Sequence, residues 1–247
     1  MSGIFAGETN LTAVYRLEGR PETGQKVQAV QFSKQIGGRA AGAAITYALL
    51  GGDAILITCI GEDAVGRLLR DELENTYHIR VMDYAPRGAE AGIRSLIADR
   101  TGRELYAVSG AAAVRTEKQA APGVWRAGEF CFFDGDLPDL TLPWIRAAAE
   151  NGAEIILGAD TGNSGAEELR AFAASVLLPD EHLPAELAAD KRLFAGDIFC
   201  GAYCYYRCDR YLPPDAAERK AAEAARTAFL FENPREGVLE VRKREWE

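Results

Sequence analysis

Residues 54–73 read AILITCIGEDAVGRLLRDEL, and the fold class follows from this stretch. It opens on an apolar run, which is typical of a short strand buried on both faces of a sheet. Gly61, Glu62 and Asp63 break the run, and Asp63 is suited to cap a helix whose leucines recur at helical spacing. A buried strand followed by an amphipathic helix is the repeating unit of an α/β fold with a largely parallel sheet.

Strand and helix signals alternate along the rest of the chain as well. Apolar runs predict buried strands at 130–133, 154–157 and 175–178. Helical spacing predicts helices at 142–150, 166–174 and 215–231. Because strands separated by helices build parallel sheets, we expect an α/β fold. No internal repeat or low-complexity linker occurs, and no boundary is evident in the second half, so we expect one domain over residues 1–247.

A different pattern in the first half predicts a small second sheet. Residues 27–32 alternate as VQAVQF, as a half-exposed strand does. Residues 92–98 and 104–108 flank the sequence DRTG, which is suited to a hairpin turn. We therefore expect a small antiparallel sheet beside the main body, either as a flap over a cleft or as a plain extension of an edge.

Composition limits the class of partner. The chain has 247 residues, with 28 Lys and Arg against 37 Asp and Glu, and its formal net charge is −9. An acidic surface is repelled by phosphate, which argues against a nucleic-acid or membrane-surface partner. No apolar run approaches the roughly 20 residues that span a bilayer, and the first residues lack the pattern of a signal peptide. We therefore expect a cytoplasmic protein.

Cys200, Cys204 and Cys208 recur every fourth residue, which would place them along one helix face. They could bind a metal ion or pack as small thiols in the core, and the lack of a fourth ligand nearby favours packing. His78 and His182 lie far apart, and no Gly-x-Ser-x-Gly elbow occurs. Metal and catalytic-triad chemistries are therefore disfavoured.

The first of two glycine-containing junctions is residues 36–44, IGGRAAGAA. Gly37 and Gly38 would let the backbone approach a ligand and would leave free N–H groups at a helix start. Tight packing of a Gly- and Ala-rich helix explains the same residues equally well. The spacing is not the dinucleotide fingerprint, so a Rossmann cofactor is not supported.

The second junction is residues 194–201, FAGDIFCG, where small residues precede Asp197 at the expected start of an apolar helix. Free N–H groups at that helix start could stabilise a transferred phosphoryl group, and the Asp197 carboxylate could accept a proton. The simpler interpretation is that Asp197 is only an N-cap.

Five segments of the chain resemble, in the same order, the motifs of the ribokinase-like, or PfkB, family of carbohydrate kinases. The resemblance covers nearly the whole chain. The segments are GETNLT at 7–12 with PETG at 21–24, the Gly37–Gly38 pair with ALLG at 48–51, IGEDAVG at 60–66, DGDLP at 134–138, and AGD at 195–197.

The resemblance implies a Rossmann-like, three-layer α/β/α fold with a β-sheet lid formed from about residues 8–36 and 79–110. It implies transfer of phosphate from ATP, accompanied by Mg²⁺, to a hydroxyl of a sugar or related polyol. It also implies a homodimer, because lid sheets of this family often pair. The implied roles are Asp197 as catalytic base, Ala195 and Gly196 as anion hole, Asn10, Thr12, Gly37, Gly38 and Asp136 as substrate contacts, and Glu181 as a carboxylate near Mg²⁺.

The chain departs from the family pattern in ways that support a second hypothesis. Phe194 and Gly42 stand where the family has Gly and Asn, and Thr12 stands where a sugar-binding Asp is usual. Only the 13 residues 184–196 separate Leu183 from Asp197, whereas a βαβ unit needs about 30 or more. The nucleotide-binding region near 183–197 is therefore shortened. The alternative function is a catalytically impaired family member that binds a sugar-like ligand or a protein partner without phosphoryl transfer.

Overall fold

The computed structural model describes residues 2–19, 21–99, 104–109, 130–135, 138–158, 169–183 and 189–246. The strands are β1 (Ser2–Ala6), β2 (Asn10–Leu17), β3 (Gln31–Gly37), β4 (Asp53–Thr58), β5 (Arg80–Asp83), β6 (Gly92–Asp99), β7 (Glu104–Ser109), β8 (Phe130–Asp134), β9 (Glu154–Gly158) and β10 (Ser175–Leu177). The helices are α1 (Arg39–Leu50), α2 (Ala64–Asp71), α3 (Pro138–Glu150), α4 (Pro179–His182), α5 (Ala189–Cys204), α6 (Pro214–Ala228) and α7 (Pro234–Trp246), and π-helical turns follow α2 (Glu72–Thr76) and α5 (Tyr205–Asp209).

Six strands form the main sheet in the order β10-β9-β8-β1-β4-β5. Every neighbouring pair in this sheet is parallel. Because alternate residues of a strand face opposite sides, Ile4 and Ala6 of β1 enter one core while Phe5 enters the other. The first core includes Trp144 of α3, and the second includes Tyr47 of α1 and Phe199 of α5. The predicted three-layer α/β fold is confirmed.

The second sheet, here called the lid sheet, has the strand order β3-β2-β6-β7. Its β2–β3 and β6–β7 pairs are antiparallel as expected, but β2 and β6 run parallel, so the sheet is mixed. The reason is topological. Strand β2 follows β1, and β6 follows β5. Because β1 and β5 are parallel, the chain enters the lid sheet both times from the carboxyl ends of the main-sheet strands.

Two strand positions also differ from expectation. Strand β5 falls within the second expected lid stretch but pairs with β4 in the main sheet. The strand predicted at 27–32 starts later than expected, because β3 begins only at Gln31 and residues 27–30 precede it. The antiparallel register explains the later start, because Gln31 is opposite Arg16, near the end of β2.

The local helix signals give mixed results. The Asp63 side chain caps α2 by accepting from the Gly66 N–H at 2.8 Å, as predicted. The expected helix at 166–174 lies mostly outside the described residues. The expectation that a helix begins at Asp197 is wrong, because α5 begins at Ala189.

The cysteine column packs as expected. Cys200 and Cys204 are fully buried on α5, and Cys208 lies partly buried in the following π-helical turn. Burial raises the pKa of the Cys204 thiol well above its usual value, which keeps it protonated and unreactive.

Within the described ranges, no helix combines the length and the apolar character that a bilayer crossing requires.

Candidate functional site

The first turn of α1 meets the end of β8 through a buried carboxylate. Gly38 is the N-cap of α1 and has no side chain to satisfy the helix N–H groups. Asp134 does this instead, because it accepts from the Ala40 N–H at 3.1 Å and from the Glu8 N–H at 2.8 Å. A negative charge at a helix N-terminus is favourable. Asp134 therefore holds the β1–β2 connection against α1, a role that its sequence context alone does not reveal.

Four of the predicted substrate residues meet beside this helix start, and we call them the glycine corner: Asn10, Thr12, Gly37 and Gly38. The Thr12 hydroxyl donates to Asn10 Oδ1 at 2.6 Å, and both side chains are fully buried. A Cβ on Gly37 would lie 2.0 Å from Thr12 Oγ1. The side-chain amide nitrogen of Asn10 is buried and has no hydrogen-bond partner among the described residues.

The backbone conformation and the nearby main chain explain why residue 38 is a glycine. Its φ of 95° lies in the region that favours glycine, and a Cβ there would come within 2.1 Å of the Glu8 carbonyl oxygen. The packing interpretation therefore accounts for this glycine. Contact between Gly38 and a substrate stays a prediction.

Asp197 of α5 lies against α1 just after the glycine corner. The residue is 5% exposed, and a Cβ on Gly42 would lie 2.5 Å from Asp197 Oδ2. The Gly42 N–H donates to the Gly38 carbonyl at 2.8 Å, so Gly42 lies one helical turn after the corner. The absence of a side chain at position 42, where the family pattern has Asn, leaves the space that the carboxylate occupies.

The early start of α5 changes how Ala195 and Gly196 can act. Both residues lie within the helix, where a backbone N–H donates to the carbonyl four residues earlier. An anion hole made of free N–H groups at a helix start is therefore not formed here. Ala195 is fully buried, and a Cβ on Gly196 would be in ordinary contact with Pro179 of α4, at 3.4 Å.

Two arginines that the sequence did not point to lie close to the candidate site. A Cβ on Gly158, at the end of β9, would lie 3.0 Å from Arg39 Cδ, and one on Gly196 would lie 4.0 Å from Arg39 Nη2. Arg39 directly follows the glycine pair, which is the signal that could have identified it. Arg94 of β6 forms a 2.7 Å ion pair with the buried Glu8, which ties the lid sheet to the main body.

The described residues contain no cluster of side chains that would hold a metal ion by itself. Glu181 lies exposed on α4, and no group of three His, Cys, Asp or Glu side chains in the described ranges could hold a metal ion. Magnesium in kinases is commonly bound through substrate phosphates with one or two carboxylates. Asp136, the remaining predicted substrate contact, lies outside the described residues.

A cleft of about 870 Å³ extends along the lid sheet. Val14 and Arg16 line it, and they alternate with Asn10 and Thr12, so all four lie on one face of β2. Phe194 lines the same cleft from α5, and Arg235 with its neighbours lines it from the start of α7. The cleft therefore shares a face of β2 with Asn10 and Thr12, although these two buried residues and Asp197 do not line it.

Comparison with known proteins identifies the family. The profile of the pfkB family carbohydrate kinases matches residues 4–182. The chain belongs to this family, as the sequence motifs indicated. No curated protein matches the chain.

Solved structures with the same fold include several ribokinases. A putative ribokinase from Agrobacterium tumefaciens has a TM-score of 0.78 at 20% identity, with 99% of this chain and 98% of that chain covered. The ribokinase from Cryptococcus neoformans var. grubii serotype A, in complex with ADP, has a TM-score of 0.76 at 14% identity, with 99% and 98% covered. Arabidopsis thaliana ribokinase, complexed with ribose and ATP, has a TM-score of 0.69 at 16% identity, with 97% and 98% covered.

Proposed function

We propose that this protein transfers a phosphoryl group from ATP to a hydroxyl of a sugar or related polyol, with Asp197 as the general base. The observation that carries the proposal is the packing of the Asp197 carboxylate against Gly42 of α1, one helical turn from the glycine corner. The family and the sugar- and nucleotide-bound ribokinase of the same fold support the reaction type.

In this proposal the chain's own residues orient the acceptor and remove its proton. The side-chain amide of Asn10 donates a hydrogen bond to an oxygen of the sugar or polyol, since the amide nitrogen has no other partner among the described residues. The Asp197 carboxylate accepts the proton of the attacking hydroxyl. Its low exposure keeps competing water away. The Arg39 guanidinium, close to Gly196, stabilises negative charge that develops during transfer.

A second candidate function is binding of a sugar-like ligand or a protein partner without phosphoryl transfer. Three observations favour it. Only residues 183–188 separate α4 from α5, the N–H groups of Ala195 and Gly196 lie inside a helix, and the Phe194 side chain lines the cleft. Each affects the region where the phosphates of ATP would bind.

A turnover assay with a single conservative substitution separates the two candidates. Purified protein is incubated with MgATP and a panel of sugars and polyols that includes D-ribose, and ADP release is measured. We expect Asp197→Asn to lower turnover by about 10² to 10⁴, the usual contribution of a general base, with unchanged melting temperature. Asp215→Asn, which removes an exposed carboxylate on α6, is the control and should retain activity.

The alternative has a distinct result. A sugar that raises the melting temperature, with no ADP release from any acceptor and no shift from MgATP, would establish binding without transfer. Ligand at 100 times its dissociation constant stabilises the folded state by about 2.7 kcal/mol, which such a measurement detects readily.

A further inference from the structure

Arg235, in the first turn of α7, joins three separate parts of the chain. Its Nη1 lies 2.8 Å from Glu72 Oε1 and also contacts the Tyr77 hydroxyl. Its guanidinium carbon lies 4.9 Å from the centre of the Tyr77 ring. Its Nη2 donates to the carbonyl of Ile36 at 3.3 Å. The side chains of Arg235 and Glu72 are 20% and 35% exposed, and both line the cleft along the lid sheet.

The carbonyl of Ile36 belongs to the peptide bond that leads into the glycine corner. Gly37 follows it and lies against Asn10 and Thr12. Gly38 then begins α1. Ile36 and Gly37 are the last two residues of β3, so their peptide lies where the chain leaves the lid sheet for α1 of the main body. A group that fixes this peptide fixes the position of Gly37 against Asn10 and Thr12.

We propose that Arg235 is a positioning residue for the acceptor site, which it supports by holding the Ile36–Gly37 peptide. The proposal rests on the proposed function for its kinetic part. A planar guanidinium with five donors can bond to several acceptors at once, whereas a lysine ammonium acts as a point charge. The Tyr77 hydroxyl donates to Glu72 Oε1 at 3.1 Å, and burial raises the pKa of Tyr77 so that it remains a donor. Glu72 and Tyr77 thereby orient the guanidinium towards Ile36.

The same helix supplies a matched control. Arg242, two turns further along α7, donates to the Leu49 carbonyl at 3.3 Å. This contact has the same chemistry and length as the Arg235 contact, but it is made to the last turn of α1 instead of the residue before the glycine corner. Any effect found in Arg235→Ala but not in Arg242→Ala is therefore due to the contact with Ile36, and not to the general loss of an arginine from α7.

Hydrogen exchange and kinetics together test the proposal. In Arg235→Ala we expect amide exchange in the peptide 31–38 to rise about tenfold, the scale of a lost hydrogen bond from a charged donor, with Arg242→Ala unchanged there. For D-ribose, or for whichever acceptor the panel identifies, KM should rise about tenfold while kcat stays within about twofold. Arg235→Lys should fall between the wild type and Arg235→Ala in both measurements.

Two results would overturn the proposal: equal exchange at 31–38 in the two alanine variants, or a kcat loss with unchanged KM in Arg235→Ala. If no acceptor is turned over, the proposed function fails while the exchange comparison still decides the role of Arg235. If Arg235→Ala does not fold, the same exchange comparison is made with Arg235→Lys, and unchanged exchange at 31–38 in that variant would refute the assignment.

Discussion

At the scale of single residues, the smallest side chains decide where Asp197 can lie. Gly42 and Gly196 are both inside helices, where replacing Gly by Ala usually stabilises by about 1 kcal/mol. Their surroundings differ. A methyl group at Gly42 would meet Asp197 Oδ2 at 2.5 Å, whereas one at Gly196 would make ordinary contact with Pro179 at 3.4 Å.

We predict that Gly42→Ala is not stabilised by the roughly 1 kcal/mol usual for this change in a helix, because the added methyl group displaces the Asp197 carboxylate. For the same reason, turnover or affinity for the sugar or polyol should fall. Gly196→Ala is the control for stability and should gain about 1 kcal/mol. Thermal and denaturant unfolding measure the first effect, and the acceptor assay measures the second. A Gly42→Ala variant that is stabilised as much as Gly196→Ala, with full activity, would show that Asp197 is not held by this contact.

At the scale of secondary-structure elements, the residue that caps a helix can also hold a neighbouring segment in place. Asp63 Oδ1 accepts from Gly66 N–H at 2.8 Å and also from Ala91 N–H at 3.2 Å, just before β6. The residue therefore caps α2 and anchors the entry to the lid sheet. The first bond was predictable from the sequence order, whereas the second joins residues 28 positions apart.

We predict that Asp63→Ala lowers the free energy of unfolding by about 1 to 2 kcal/mol, the upper part of the range for a lost N-cap. Asp63→Asn should lose much less, because its amide oxygen can accept the same bonds. Asp71→Ala, at the exposed C-terminal end of the same helix, should change stability by no more than about 0.5 kcal/mol. Urea unfolding of the three variants provides the test, and equal losses in Asp63→Ala and Asp71→Ala would contradict the capping role.

At the scale of the whole molecule, the free edge of the lid sheet presents apolar surface. Strand β3 is an edge strand; Phe32 within it is 53% exposed, and Val30 just before it is 58% exposed. An exposed edge strand with apolar side chains favours pairing with another chain. This surface supports the expectation of a homodimer formed through the lid sheets.

We predict that sedimentation or light scattering finds a dimer that Phe32→Glu converts to a monomer, because the charge would be buried at the paired edge. Val176→Glu is the matched control. Val176 is 37% exposed on β10, the edge strand of the main sheet, and its substitution should leave the dimer intact. A wild-type protein that is monomeric at every concentration would refute lid pairing.

The sequence alone determined the alternation of buried strands and helices, the cap at Asp63 and the order of the family motifs. These features follow from periodicity and from contacts between residues close in sequence, which is why the α/β fold could be predicted. The segment before Asp197 could not be predicted in the same way. Helix α5 runs through Gly196 despite the cost of a mid-helix glycine, about 1 kcal/mol, because it buries Ala195, Ile198 and Phe199 in the core.

Only the tertiary structure decided which residues share the candidate site. The bonds from Asp134 to Glu8 and from Arg235 to Ile36 join residues 126 and 199 positions apart. Such contacts depend on the order of strands in the sheet and on how helices pack across it, and no local pattern encodes either. The same reason explains why the parallel pairing of β2 with β6 and the closeness of Gly42 to Asp197 emerged only from the folded chain.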